Sequence, residues 1–154
     1  MDREEGDLRH PVTPLVSQIE STHQRIRSDL EVLEKSDDLG RIGAAVGDLP
    51  GLLKGHFRDE ERPGGLYEEL ESLRPALSSQ LKQLRLEHRK ITRALESLGR
   101  LLREAGMNPD GELQQLRDEI RVGKATFLQL IHRHERLESR LVAEIYYTED
   151  GGSG

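Results

Sequence analysis

Six side chains have the types and spacing to hold a metal: His23, His56, Glu60, His88, His134 and Glu138. Each histidine interrupts an aliphatic stripe of helical period, and in two stripes a glutamate follows one turn later. A buried imidazole or carboxylate is costly unless it is paired or bound to a cation. His and Glu four residues apart lie on one helix face, one above the other. A carboxylate so placed can bridge two ions while the histidine binds one of them. Two histidines per ion with two shared glutamates leave a six-coordinate metal about two open positions, the mark of a reactive site rather than a closed structural one. Imidazole and carboxylate donors without sulfur suit iron, manganese, zinc or copper, so the donor set alone does not choose. One seam histidine bonded to a backbone carbonyl would be ordinary. One on each of four helices, two of them followed by glutamate, points to a binuclear site. His10 precedes the first stripe and His132 faces away from His134, so both read as surface residues.

Four amphipathic helices must position these groups. The first enters at Pro11 and Pro14, where proline is tolerated, and carries Leu15, Ile19, His23, Ile26, Leu30 and Leu33. Ser36-Asp37-Asp38 breaks it and offers an N-cap. The second stripe is Leu39, Ile42, Val46, Leu49, Leu53, His56, Glu60, and Pro50-Gly51 inside it predicts a kink or a restart. Arg62-Pro63-Gly64-Gly65 bends the chain into a short continuation through Leu66, Tyr67, Leu70 and Leu73. The third stripe runs Leu77, Leu81, Leu84, His88, Ile91, Leu95, Leu98, Leu102, and a turn follows over 106–111. The fourth is Leu113, Leu116, Ile120, Gly123, Phe127, Leu130, His134, Glu138, Leu141, Ile145.

These elements predict an all-α, up-down-up-down antiparallel four-helix bundle over residues 12–149 with the metal site in its core. A flexible lead (1–11) and a flexible glycine-rich tail (150–154) flank it. At about 1.5 Å rise per residue, His23 and His56 lie roughly 20 and 25 Å from the first turn. Glu60 and His88 both lie roughly 18–20 Å from the second turn, so the first three helices align at one level. The fourth has a longer run before His134, which the third loop must absorb. Leu53, Ile26, Leu84, Ile91, Leu130 and Leu141 would wall the site and favour small ligands unless a channel exists.

Composition narrows the function classes. The net charge of −6 argues against nucleic acid, which needs a basic surface. No segment approaches the roughly 18–20 apolar residues of a membrane span, and the charged N-terminus lacks a secretory apolar region, so a cytoplasmic protein is expected. There is no cysteine, hence no disulfide or thiolate site. HExxH, a phosphate loop and a nucleophile elbow are all absent, and Glu20-Ser21-Thr22-His23 is the only Glu-x-x-His of the ferritin-like kind.

The ordered set His23, His56-Phe57-Arg58-Asp59-Glu60, His88 and His134-Glu135-Arg136-Leu137-Glu138 resembles the hemerythrin-like family of HHE cation-binding domains. The doubled acid Glu60-Glu61, Leu66-Tyr67, Glu87-His88 and the closing Tyr146-Tyr147-Thr148 agree with it, over about residues 12–150. The resemblance implies two iron ions with an oxo or hydroxo bridge, in a protein that binds or senses oxygen, peroxide or nitric oxide. By that analogy His23 and His56 hold one iron, His88 and His134 the other, and Glu60 and Glu138 bridge. A di-iron enzyme (peroxide-decomposing, nitric-oxide-consuming or oxidase) and an iron-responsive regulatory module are the alternatives. One departure bears on them. Oxygen-carrying hemerythrins have two histidines a turn apart on the third helix, whereas this chain has only His88, flanked at that spacing by Leu84 and Thr92. Glu61 and Tyr67 are the candidate substitute donors; otherwise they read as a solvated acid and a packing aromatic.

Overall fold

The computed structural model describes residues 14–107 and 113–147. The elements are α1 (Pro14–Lys35), α2 (Leu39–Glu61), the short α3 (Leu66–Leu73), a single 3₁₀ turn (Pro75–Leu77), α4 (Ser78–Met107) and α5 (Leu113–Tyr146). No strand occurs among the described residues. The lead 1–11 with His10, the turn from Asn108 to Gly111, the tail 150–154, and the side chains of Leu15 and Ile19 lie outside them.

Local chemistry sets the boundaries. α1 opens on Pro14, whose missing N–H would have had no helical partner there. Asp38 caps α2 by accepting a 3.0 Å hydrogen bond from the Gly40 N–H, which restarts the helix just past Ser36. α2 then runs unbroken through Pro50, so the restart expected there does not occur. Pro50 is exposed, while Leu49 and Leu53 to one side of it are buried. That packing holds the helix where local propensity alone would interrupt it.

The bend after α2 is tightly specified. Gly64 adopts φ +77°, and the Gly65 N–H donates to Arg62 O at 2.8 Å. A Cβ on Gly65 would lie 2.4 Å from Asp59 O and 2.9 Å from Glu60 O, so the chain can pass this close to the end of α2 only at a glycine. This passage launches α3 with Tyr67 and Leu70 pointing inward.

The long helices close a ring, with α1 on α2, α2 on α4, α4 on α5 and α5 on α1, and α3 packs against α2, α4 and α5. Two apolar clusters form inside. One includes Leu33, Leu49, Phe57, Ile91, Leu98, Phe127 and Ile131. The other is built from Tyr67, Leu70, Leu81, Leu84, Leu141 and Ile145. Each fully buried aliphatic side chain contributes about 1.5–3 kcal/mol. His88 falls between Leu84 of the second cluster and Ile91 of the first, and His134 between Ile131 of the first and Leu141 of the second. The polar residues therefore occupy the seam between two dry regions.

Two stripes are rotated slightly from the sequence expectation. On α5, Ile131 is buried and Leu130 only half-buried. On α2, Phe57 is buried and His56 half-buried. Spacings of three and four both keep a residue on the stripe, so periodicity admits either neighbour, and tertiary packing selects one.

Candidate metal centre

Glu60, His88, His134 and Glu138 each offer a ligand atom, and these atoms all lie within 4.8 Å of one another. Glu60 is 4% exposed, and His88 and His134 are 3% exposed. His88 Nε2 stands 3.2 Å from Glu60 Oε1, and His134 Nε2 stands 3.4 Å from Glu138 Oε2. His56 joins from the side, with Nε2 3.4 Å from the same Glu60 oxygen. His23 touches the group only through His56: its Nε2 is 3.1 Å from His56 Nδ1, and the rings meet edge to face at 80°. The structure thus gathers four of the six expected residues closely, attaches the fifth, and sets the sixth behind it.

Several neighbours orient this cluster. Glu87 Oε1 lies 3.3 Å from His134 Nδ1, which turns His134 Nε2 toward Glu138. Such a carboxylate behind an imidazole fixes its tautomer and raises its basicity. The Tyr67 ring is fully buried; its hydroxyl donates to Glu138 Oε2 at 2.9 Å and lies 2.9 Å from His88 Nε2. Phe57 stacks on His88 with centroids 3.8 Å apart and planes 10° apart. Glu61 stays at the edge, 38% exposed, with Oε2 3.6 Å from His88 Nδ1. Of the two candidate substitute donors, Tyr67 is therefore the one inside the cluster.

Whether a cation fits can be judged from the atoms left unsatisfied. Both Glu60 carboxylate oxygens, His88 Nδ1 and His134 Nε2 are buried without a hydrogen-bond partner. Each such orphan costs about 1–3 kcal/mol, so four clustered here need an explanation. Burial and then the carboxylate of Glu138 push the Glu60 carboxyl far above the usual range, so it holds a proton in the metal-free chain. Burial opposes charge on Glu138 too, but the adjacent His134, the neighbouring Glu60 and the Tyr67 hydroxyl outweigh it and hold this carboxyl low. Burial, with His134 as a second cause, brings the His88 imidazole down to about 3. Burial and then His23 also lower His56. His134 moves the other way: Glu138 and Glu87 outweigh its burial and raise it. Burial and the two nearby glutamates push the Tyr67 phenol up. A cation inverts this balance, because it favours the ionised carboxylates and neutral imidazoles that metal binding needs. The residues fit a bound metal.

The hemerythrin HHE cation binding domain profile matches residues 15–146, a span that holds all six residues. The chain belongs to the hemerythrin HHE cation binding domain family. No curated protein and no solved structure gives a significant match. As a member of this family the domain binds cations, and the His/Glu cluster between its helices is the candidate position.

Phe57 and Glu87 stand in the sequence only as context of the motif, and their roles beside His88 and His134 come from the structure. Phe57 was masked by His56 beside it. Glu87 acts on a residue 47 positions away, a relation only the tertiary structure supplies. His132 sits at the surface as expected, 2.6 Å from Glu34 Oε1. The expected wall is buried at Ile26, Leu53, Leu84, Ile91 and Leu141. It is interrupted, however, by a cavity of about 490 Å³ lined by His23, His56, Glu60, Glu138 and the side-chain-free face at Gly51 and Gly55. Among the described residues no helix is long and apolar enough to cross a membrane.

Proposed function

We propose that this hemerythrin-family domain is a non-haem di-iron protein that binds or senses oxygen, peroxide or nitric oxide. His23 and His56 would hold one iron and His88 and His134 the other, with Glu60 and Glu138 shared, in an up-down-up-down bundle. The observation that carries this reading is the set of buried, unpartnered atoms on Glu60, His88 and His134. Iron held there would supply open coordination positions and one-electron chemistry toward small oxidants.

The chain's own residues do the rest. Glu87 holds the His134 ring in one orientation. Phe57 covers one face of His88 and keeps water from it. Tyr67 holds a proton 2.9 Å from Glu138 Oε2 in the metal-free chain. Without that proton its oxygen would be available to the metal as an additional donor beside the single histidine of α4. The three-residue connection Ser36–Asp38 supports antiparallel α1 and α2. A second reading, a catalyst acting on peroxide or nitric oxide, is favoured by the cavity beside His23, His56, Glu60 and Glu138, whose roughly 490 Å³ exceeds what a diatomic ligand requires.

Anaerobic titration of the metal-free chain with iron(II), followed by elemental analysis and visible absorption under oxygen, peroxide or nitric oxide, tests both. Two irons per chain and a spectral response are expected, and Tyr67→Phe should remove the phenolate contribution to the visible absorption. A response to oxygen that reverses under argon supports binding or sensing. Irreversible oxidation, or turnover of peroxide or nitric oxide, supports the catalyst. Less than one iron per chain, or silence toward all three ligands, would overturn the proposal.

A further inference from the structure

A second groove, of about 770 Å³, lies between α2 and α4. Its lining is apolar at Pro50, Leu53, Phe57 and Leu95, and it reaches one side of His88. Thr92 leaves it open: its hydroxyl turns back to His88 O at 2.8 Å, so only a methyl remains to fill the space.

Lys54 and Arg58 of α2 and Arg89 and Arg93 of α4 also line this groove. On each helix the two cations are four residues apart, an arrangement that stacks like charges on one face and is unfavourable by itself. Among the described residues none of the four has an ion-pair partner. This is not for want of acids, since the chain carries 29 of them against 23 lysines and arginines. Some cations elsewhere are paired, as in Arg25 with Asp48, Arg62 with Asp59 and Lys124 with Asp37, and others stand alone, but this groove brings four unpaired ones to the rim of one apolar surface. Glu61 and Glu96 line the groove as well, without an ion pair to any of the four, so the lining keeps an excess of positive charge. A concave apolar surface with a few convergent polar groups is the usual form of a small-molecule site, and about 300–1,000 Å³ is the usual size.

We propose that this groove binds an organic carboxylate with an apolar body, such as a medium-chain aliphatic acid. The body lies on Leu53, Phe57 and Leu95, and the carboxylate sits among the four cations, where arginine offers paired N–H donors. The site needs no metal for its own binding. Because Phe57 also stacks on His88, an occupant rests against the back of the metal centre.

Calorimetric titration of the full chain with octanoate, octanol and acetate tests this. Octanoate should bind at least about tenfold more tightly than octanol, acetate should show no measurable heat, and added salt should weaken octanoate. Arg58→Glu with Arg93→Glu should weaken octanoate at least about tenfold, whereas Arg117→Glu, an exposed control on α5, should leave it unchanged. Arg58→Gln with Arg93→Gln, which only removes charge, repeats the test should the reversed pair fail to fold. Equal binding of octanol, equal binding of acetate (a plain anion patch), or octanoate affinity indifferent to the substitutions would each overturn the proposal.

Discussion

The two sides of the candidate metal centre carry the same side-chain types and differ in how they are held. On α4 and α5, His88 and His134 are 3% exposed and closely surrounded by Glu87, Tyr67 and Phe57. On α1 and α2, His23 and His56 are half-buried, lean on each other, and line the roughly 490 Å³ cavity. Donor identity therefore does not set the character of a half-site. Burial and the groups behind each imidazole do, and they leave one side enclosed and the other reachable.

The strongest way to break this contrast is to truncate one histidine from each half in the metal-free chain. His134→Ala leaves a cavity and strands Glu87 and Glu138, and should cost about 3 kcal/mol. His23→Ala should cost about 1 kcal/mol or less, because its ring is half-exposed. Urea melts in chelator measure both, and equal losses would erase the distinction.

A smaller effect should come from closing the reachable half. A Cβ at Gly55 meets nothing within 4 Å and Gly55 lines the cavity, so Gly55→Leu adds bulk there and improves helix propensity. Stability should hold or rise slightly, while stopped-flow uptake of iron(II) slows several-fold. Unchanged uptake would mean that metal enters by another route.

The smallest effect concerns the α1–α2 contact on which the reachable half stands. Burial, then the hydrogen bond and charge of Asp48, raise Asp29 from 3.8 to about 6, with Arg25 opposing. The folded chain holds this proton more tightly than the unfolded chain. The resulting stabilisation is complete below 3.8 and is lost as pH rises through about 6. Because Asp29 is only half-buried, solvent screening should hold the loss to about 1 kcal/mol. Asp29→Asn should flatten the pH profile of stability across that window and gain stability above it.

Much of this molecule could be read from spacing. The helices, their stripes and the residues that interrupt them follow from an apolar period of three and four, which is local information. What escaped was rotational choice and long-range partnership. Phe57 and His56 both satisfy the α2 period, as Leu130 and Ile131 both satisfy that of α5, and packing decides between them. Glu87 faces α5 from α4, and no pattern within its own helix announces His134 as its partner. Tyr67 was legible only as a candidate, since its direction depends on backbone angles at Gly64 and close passage at Gly65. Pro50 misled in the opposite sense, because a local breaker was overridden by the faces packed around it.

The passage of Gly65 over the last carbonyls of α2 acts as a ruler for the segment that follows. Removing or adding one residue between Glu61 and Leu66 would shift the start of α3 and change the direction in which Tyr67 faces, while α1, α2, α4 and α5 could keep their packing. The aromatic hydroxyl would then leave the cluster with the four-helix frame intact. Loop length is in this way a dial on the chemistry that is largely separate from the determinants of the fold, so related chains could gain or lose an oxygen donor by a single codon insertion without redesigning a core.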